Sequence, residues 1–152
     1  MRKIMSKIGL VLVIFCMIFT AAGAGVPSSV DDIRETVFRH QMSRWKASTY
    51  YLAFGIDRVG DFAAPPQEFM QRFIGQSNVK KSLKAPTPPD EKSVILCIDR
   101  VQQQEKSAEV SARFVPFELT KASSGFYNLA LQKDGSWKVT ATKRFKVIPL
   151  SE

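Results

Sequence analysis

Phe126-Tyr127-Asn128-Leu129-Ala130-Leu131-Gln132-Lys133-Asp134-Gly135-Ser136-Trp137-Lys138-Val139 is the stretch that decides the fold class. Asp134-Gly135 favours the tight turn that joins antiparallel neighbours. The flanking runs are rich in aromatic and branched residues at alternate positions, as half-buried strands are. The spacing therefore predicts a hairpin. Strict alternation along its second arm puts Trp137, Val139, Ala141, Phe145 and Val147 on one face, with Lys138, Thr140, Thr142, Arg144 and Lys146 on the other.

Working outward, two more strands precede this hairpin. Ser93 to Gln102 is a nearly continuous apolar run that turns polar at its end. After a turn at Glu105-Lys106-Ser107, the residues Ala108, Val110, Ala112 and Phe114 alternate with Glu109, Ser111 and Arg113. Pro116 lacks a backbone donor, so a bulge or an edge position is expected there. Phe117 and Leu119 continue this strand, and Ala122-Ser123-Ser124-Gly125 reads as the next turn. The C-terminal part is thus an expected four-stranded antiparallel meander.

The N-terminal part changes period. Ser29 is placed as an N-cap, with Asp31 and Asp32 at the positive end of a helix dipole. Val30, Ile33, Val37, Phe38, Met42 and Trp45 then recur at steps of three and four, one apolar stripe. Glu35 and Arg39 form a surface pair on the other face. From Ser48 to Ile56 the period drops to two, which favours a short strand. Asp57 to Ala64 is a predicted loop. Pro65-Pro66 starts a short helix through Ile74, which Gly75 stops. Gln76 to Lys92, rich in proline, reads as an exposed connection. Together these elements predict an α+β domain. An N-terminal helix and a short second helix pack on a curved antiparallel sheet of four to five strands.

The first residues have a separate meaning. Arg2, Lys3 and Lys7 precede an apolar run from Ile8 to Phe19, and Ala22-Gly23-Ala24 supplies small residues at the spacing of a cleavage site. Residues 1–24 are therefore expected to be a signal peptide, and residues 25–152 a single domain with a Pro-rich loop near 76–92. Retention of the leader as a membrane anchor is the rival reading, because Ile8 to Val26 carries no charge. Both readings export the domain across the cytoplasmic membrane, into the periplasm or beyond. Cys16 lies inside the apolar run, which excludes it as a lipidation site.

The 152-residue chain is 45% hydrophobic and 24% charged, with 11 Phe, a globular composition. Beyond the leader only Cys97 remains, set among Val94, Ile95, Leu96 and Ile98, so an inert buried thiol is expected. The formal charge of +8 falls to about +5 without the leader cations, which favours anionic surfaces without implying nucleic acid.

Candidate chemistry is sparse. His40 is the only histidine and the natural acid–base group near neutrality, with Asp57, Asp61 or Asp99 as conceivable partners. Ligand spacing for zinc or calcium is lacking, so no metal and no cofactor are expected. No phosphate loop or nucleophile elbow is present. The basic residues fall into two groups. Arg34, Arg39 and Arg44 lie on the first helix, and Lys138, Lys143, Arg144 and Lys146 lie on or beside the last strand. Either group could meet phosphate or carboxylate.

In its order of elements the chain resembles the cystatin-like and NTF2-like superfolds, with the hairpin Lys133 to Val139 as the strongest element. More narrowly it resembles a group of small exported bacterial proteins of unknown function. The residues that carry this are Ile33-Arg34-Glu35, Val37-Phe38-Arg39-His40-Gln41, Tyr51-Leu52-Ala53-Phe54-Gly55 and Glu68-Phe69-Met70-Gln71-Arg72-Phe73. The resemblance implies no activity, since such folds host enzymes, binders and scaffolds alike. The expected function is a non-catalytic binding module for an envelope protein or an anionic envelope component. The alternative is an NTF2-like small-molecule pocket or enzyme using His40 with an Asp.

Overall fold

The computed structural model describes residues 29–56, 61–82, 88–117 and 123–144. The leader, Asp57, Lys146 and residues 83–87 of the Pro-rich segment lie outside the described residues. The elements in chain order are α1 (Val30–Arg44), β1 (Thr49–Ala53), α2 (Gln67–Met70) with a following 3-10 turn (Gln71–Phe73), and β2 (Val79–Lys81). Then come β3 (Ser93–Gln103), β4 (Ser107–Pro116), β5 (Ser123–Leu131) and β6 (Trp137–Arg144).

The expectation of four to five antiparallel strands under an N-terminal helix is overturned. The described residues are mostly sheet: among them six strands form one sheet in the order β2-β1-β3-β4-β5-β6, accompanied by two helices. β1 runs parallel to both of its neighbours, β2 and β3, while β3 to β6 form an antiparallel meander. The cystatin-like and NTF2-like description falls with the all-antiparallel sheet. The physical reason is the connections. Parallel neighbours need a crossover rather than a hairpin, and residues 54–78 with α2 make one between β1 and β2. The sequence hid β2 because Val79-Lys80-Lys81 is three residues long, in a polar stretch.

Burial follows the topology. β1 sits between two parallel partners, and Tyr50, Tyr51, Leu52 and Ala53 are all buried. A strand covered on both faces loses its polar alternation. On one face, Leu52, Leu96, Val110 and Leu129 meet Ile33, Val37 and Phe38 of α1, with Phe69 and Phe73 from α2 and its turn. Phe38 centres this layer, with its ring 6.0 Å from Phe69, 6.2 Å from Phe54 and 6.5 Å from Phe73. On the other face, Tyr51, Ala53, Ile95, Cys97 and Val115 form a smaller cluster with Phe62.

α1 begins where the sequence puts it. Ser29 Oγ accepts from Asp32 N–H (3.3 Å), and Ser29 N–H donates to Asp32 Oδ2 (2.7 Å). This reciprocal box satisfies two otherwise orphaned donors. Arg72 Nη1 then ties the α2 turn to α1, reaching Asp32 (2.7 Å) and Glu35 (2.9 Å). Burial pushes the Asp32 carboxyl up, but the bonds from Arg72 and Ser29 outweigh it and hold it below the usual carboxylate range. The buried stripe differs from the expected one: Gln41 is 1% exposed, while Val30 is 38% exposed.

Two bulges decide which residues face which way. Ile98 pairs with Ala112 and Arg100 with Ser111, so Asp99 is an extra residue in β3. Asn128 pairs with Ala141 and Leu129 with Val139, so Thr140 is extra in β6. Each bulge reverses the alternation beyond it. The strict alternation expected for β6 is therefore corrected. Thr142 pairs with Tyr127 on the helix face, and Ala141 is exposed opposite. The bulge expected at Pro116 is absent, since Pro116 ends β4 in register with Val94. Ser123-Ser124-Gly125 is the start of β5 rather than a turn. The Asp134-Gly135 turn is formed, with Gly135 at φ 84° and Asp134 accepting from Ser136 N–H (3.0 Å). Among the described residues no helix is long and apolar enough to cross a membrane.

Candidate functional site

The C-terminal end of α1 places a cation over the sheet. Tyr50 fixes this end: its hydroxyl donates to the Trp45 carbonyl (2.7 Å) and accepts from Ala47 N–H (3.0 Å). Helix carbonyls that would otherwise be orphaned are thereby satisfied. Trp45 then stacks on Phe114 of β4, centroids 4.7 Å apart. Between this stack and β5–β6 lies a cleft lined by Arg44, Trp45, Phe114, Ser123, Tyr127 and Thr142. Its volume is about 20 Å³, room for one water-sized group.

His40 lies one turn back from Arg44. Its ring meets Tyr127 edge-on at 5.8 Å, and its Nε2 is sheltered without a hydrogen-bond partner among the described residues. Burial, and secondarily the charge of Arg44, pull the imidazole below its ordinary value. It is therefore neutral at neutral pH. A general base is usually tuned by a carboxylate, and His40 faces an aromatic edge and a cation instead. Asp99 sits on the opposite face of the sheet, held there by Arg113, whose Nε donates to Asp99 Oδ2 at 2.7 Å and whose Nη2 reaches Oδ1. Asp61 is half-buried in the segment before α2. The structure does not bring His40 and Asp99 together.

The arginines of α1 have separate fates. Arg34 pairs with Asp31 (2.9 Å) and lies 4.1 Å over the Phe54 ring. Arg39 pairs with Glu35 (2.8 Å), donates to the Arg72 carbonyl (2.8 Å) and covers Phe73. Both brace the helix layer. Arg44 is exposed and has no carboxylate partner among the described residues. Lys138 is exposed on β6, on the face away from α1, in register with Ala130. Arg144 ends β6 opposite Gly125. Lys138 and Lys143, the members of the second basic group with described side chains, both lie on the face away from α1 and Arg44.

Sequence reasoning missed Ser123, Tyr127 and Thr142 as neighbours of Arg44. The spacing puts Ser123 in a turn and Thr142 on the other face, and no signal corrects it, since Trp137, Val139, Ala141 and Phe145 keep one parity.

Cys97 is fully buried. Burial first, and then the charge of Asp99, push its thiol up to about 12. A thiol so rarely ionised is inert as a nucleophile. Among the described residues no group of three or more His, Cys, Asp or Glu could hold a metal ion. No protein-family model, curated protein or solved structure matches this chain.

Proposed function

We propose that this chain is an exported, non-catalytic binding module for an anionic envelope component, with Arg44 as its charged contact. The observation that carries this reading is the setting of Arg44. Arg44 lines a cleft beside Ser123 and Thr142 with no carboxylate partner among the described residues. A guanidinium offers a fork of donors matched to phosphate or carboxylate oxygens. The cleft holds only the tip of a ligand, so the anion is the terminal or bridging oxyanion of something larger that stays outside. The basic balance of the chain adds long-range attraction, and the leader supplies the compartment.

Vesicles containing phosphatidylglycerol and a purified anionic cell-wall polymer are the two probes. Trp45 lines the cleft and reports occupancy by fluorescence. Binding to one of them is expected to weaken about tenfold in Arg44→Gln, the scale of one charge-assisted contact. Equal binding by the wild type and Arg44→Gln, or binding to neither probe, overturns the reading.

A further inference from the structure

The face of the sheet turned away from α1 carries a second concavity, unrelated to Arg44. It is an open groove of about 450 Å³ across the distal ends of β3, β4, β5 and β6. Its polar lining is Gln102, Gln104, Ser107, Glu109, Asn128 and Thr140, over a floor that includes Ala130. The size lies within the range of small-ligand sites.

The two bulges build this groove. Without a bulge at Asp99, the alternation of Leu96 and Ile98 would carry Gln102 toward the helix. With it, Val101 packs into the helix-side core and Gln102 joins the row formed with Glu109 and Asn128. The extra residue Thr140 lines the same row, its hydroxyl donating to the Asn128 carbonyl at 3.1 Å. Bulges of this kind re-aim side chains next to binding sites.

The lining has unused hydrogen-bonding capacity. The Glu109 carboxylate and the half-buried Asn128 amide have no side-chain partner among the described residues. Gln104 Oε1 accepts from Ser107 Oγ (3.1 Å), which orients its amide nitrogen away from that contact. With its amide turned to suit, Gln102 Oε1 accepts from the Arg100 guanidinium (2.6 Å). Arg100, and Lys138 in register with Ala130, stand at the rim and balance the Glu109 charge. The remaining amides, hydroxyls and carboxylate offer donors and acceptors together, which matches a chain of hydroxyl groups, each both donor and acceptor. Phe126 is half-buried at the next register position on this face, opposite Ser111, a flat apolar surface beside the amide row.

From this juxtaposition we infer that the groove binds a neutral oligosaccharide. Glu109 and Asn128 receive its hydroxyls, and Gln104 flanks them. The inference is independent of the Arg44 cleft, because the two concavities lie on opposite faces and share no lining residue.

The test is a titration of the purified protein, followed by backbone amide NMR, with three neutral pentasaccharides: chitopentaose, cellopentaose and maltopentaose. At least one is expected to give saturable shifts confined to residues 102–109 and 128–140. The double variant Glu109→Gln with Asn128→Ala is expected to weaken that binding tenfold or more without lowering the melting temperature. Glu68→Gln, the same charge change on α2, is expected to leave it within twofold. The inference is overturned if no sugar shifts these signals, if the shifts map elsewhere, or if the double variant binds as well as the wild type. An extended peptide that occupies the groove when none of the sugars does also overturns it.

Discussion

Under α1, Leu52, Leu96, Val110 and Leu129 carry an unbroken apolar surface across the sheet, sealed by Phe38, Phe69 and Phe73. On the reverse, the same strands begin with Ile95, Cys97 and Val115 beneath Phe62 and end in exposed Gln102, Glu109 and Thr140. The first face is closed by helices and the second is closed only at one end. The difference teaches that cover, not strand sequence alone, sets what a sheet face is for. Burial of large side chains between layers supplies most of the stability. The half that is uncovered among the described residues contributes little to it.

Inserting one alanine between Arg100 and Val101 should break this division most severely. Arg100 is in register with Ser111, so a further residue paired in line would turn Val101 outward and Gln102 toward the helix. The expected outcome is loss of the cooperative thermal transition and of dispersed amide signals. An insertion variant that still melts cooperatively near the wild-type temperature would show that this register is not what separates the faces.

A milder test compares the faces by truncation. Phe38→Ala empties the centre of the covered layer and should cost about 3–5 kcal/mol in urea unfolding. Lys143→Ala on the uncovered face should stay within about 0.5 kcal/mol. Similar costs at the two positions would contradict the asymmetry.

The smallest expected effect is on pH dependence. His40 has a folded value below the unfolded one, near 6.5, so the unfolded chain takes up the proton first. Stability is then complete above about pH 6.5 and declines as pH falls from there toward the folded value. Asp32 and other carboxylates act at lower pH, below about 4. Replacing His40 with Gln should flatten the decline that sets in below about pH 6.5 in denaturant titrations. An unchanged slope would mean that the imidazole against Tyr127 is not held neutral by its surroundings.

Legibility from the chain was uneven for physical reasons. α1 was readable because its cap is local: Ser29 and Asp32 satisfy each other whatever the rest does. The Asp134-Gly135 turn was readable because Gly135 needs a positive φ that a glycine supplies at no steric cost. β2 was not readable, since three residues hold no period and its strand exists only through pairing with β1. Nor were the faces of β6, because a single extra residue reverses every position beyond it. Of the candidate site, Arg44 and His40 could be singled out as residue types. Their separation from Asp99 by the whole thickness of the sheet could not.

Local signals, then, were enough to determine the first helix, the closing hairpin, the four-strand meander and the buried character of Cys97. Each rests on periodicity, capping or turn chemistry within a few residues. Only the tertiary structure decided that β1 inserts in parallel between β2 and β3 and that the bulges divide the sheet into a sealed and an open face. It alone left Arg44 without a carboxylate while Arg34 and Arg39 are bound up. These outcomes depend on which distant segments meet, and the energy of such meetings is not written in any one segment of the chain.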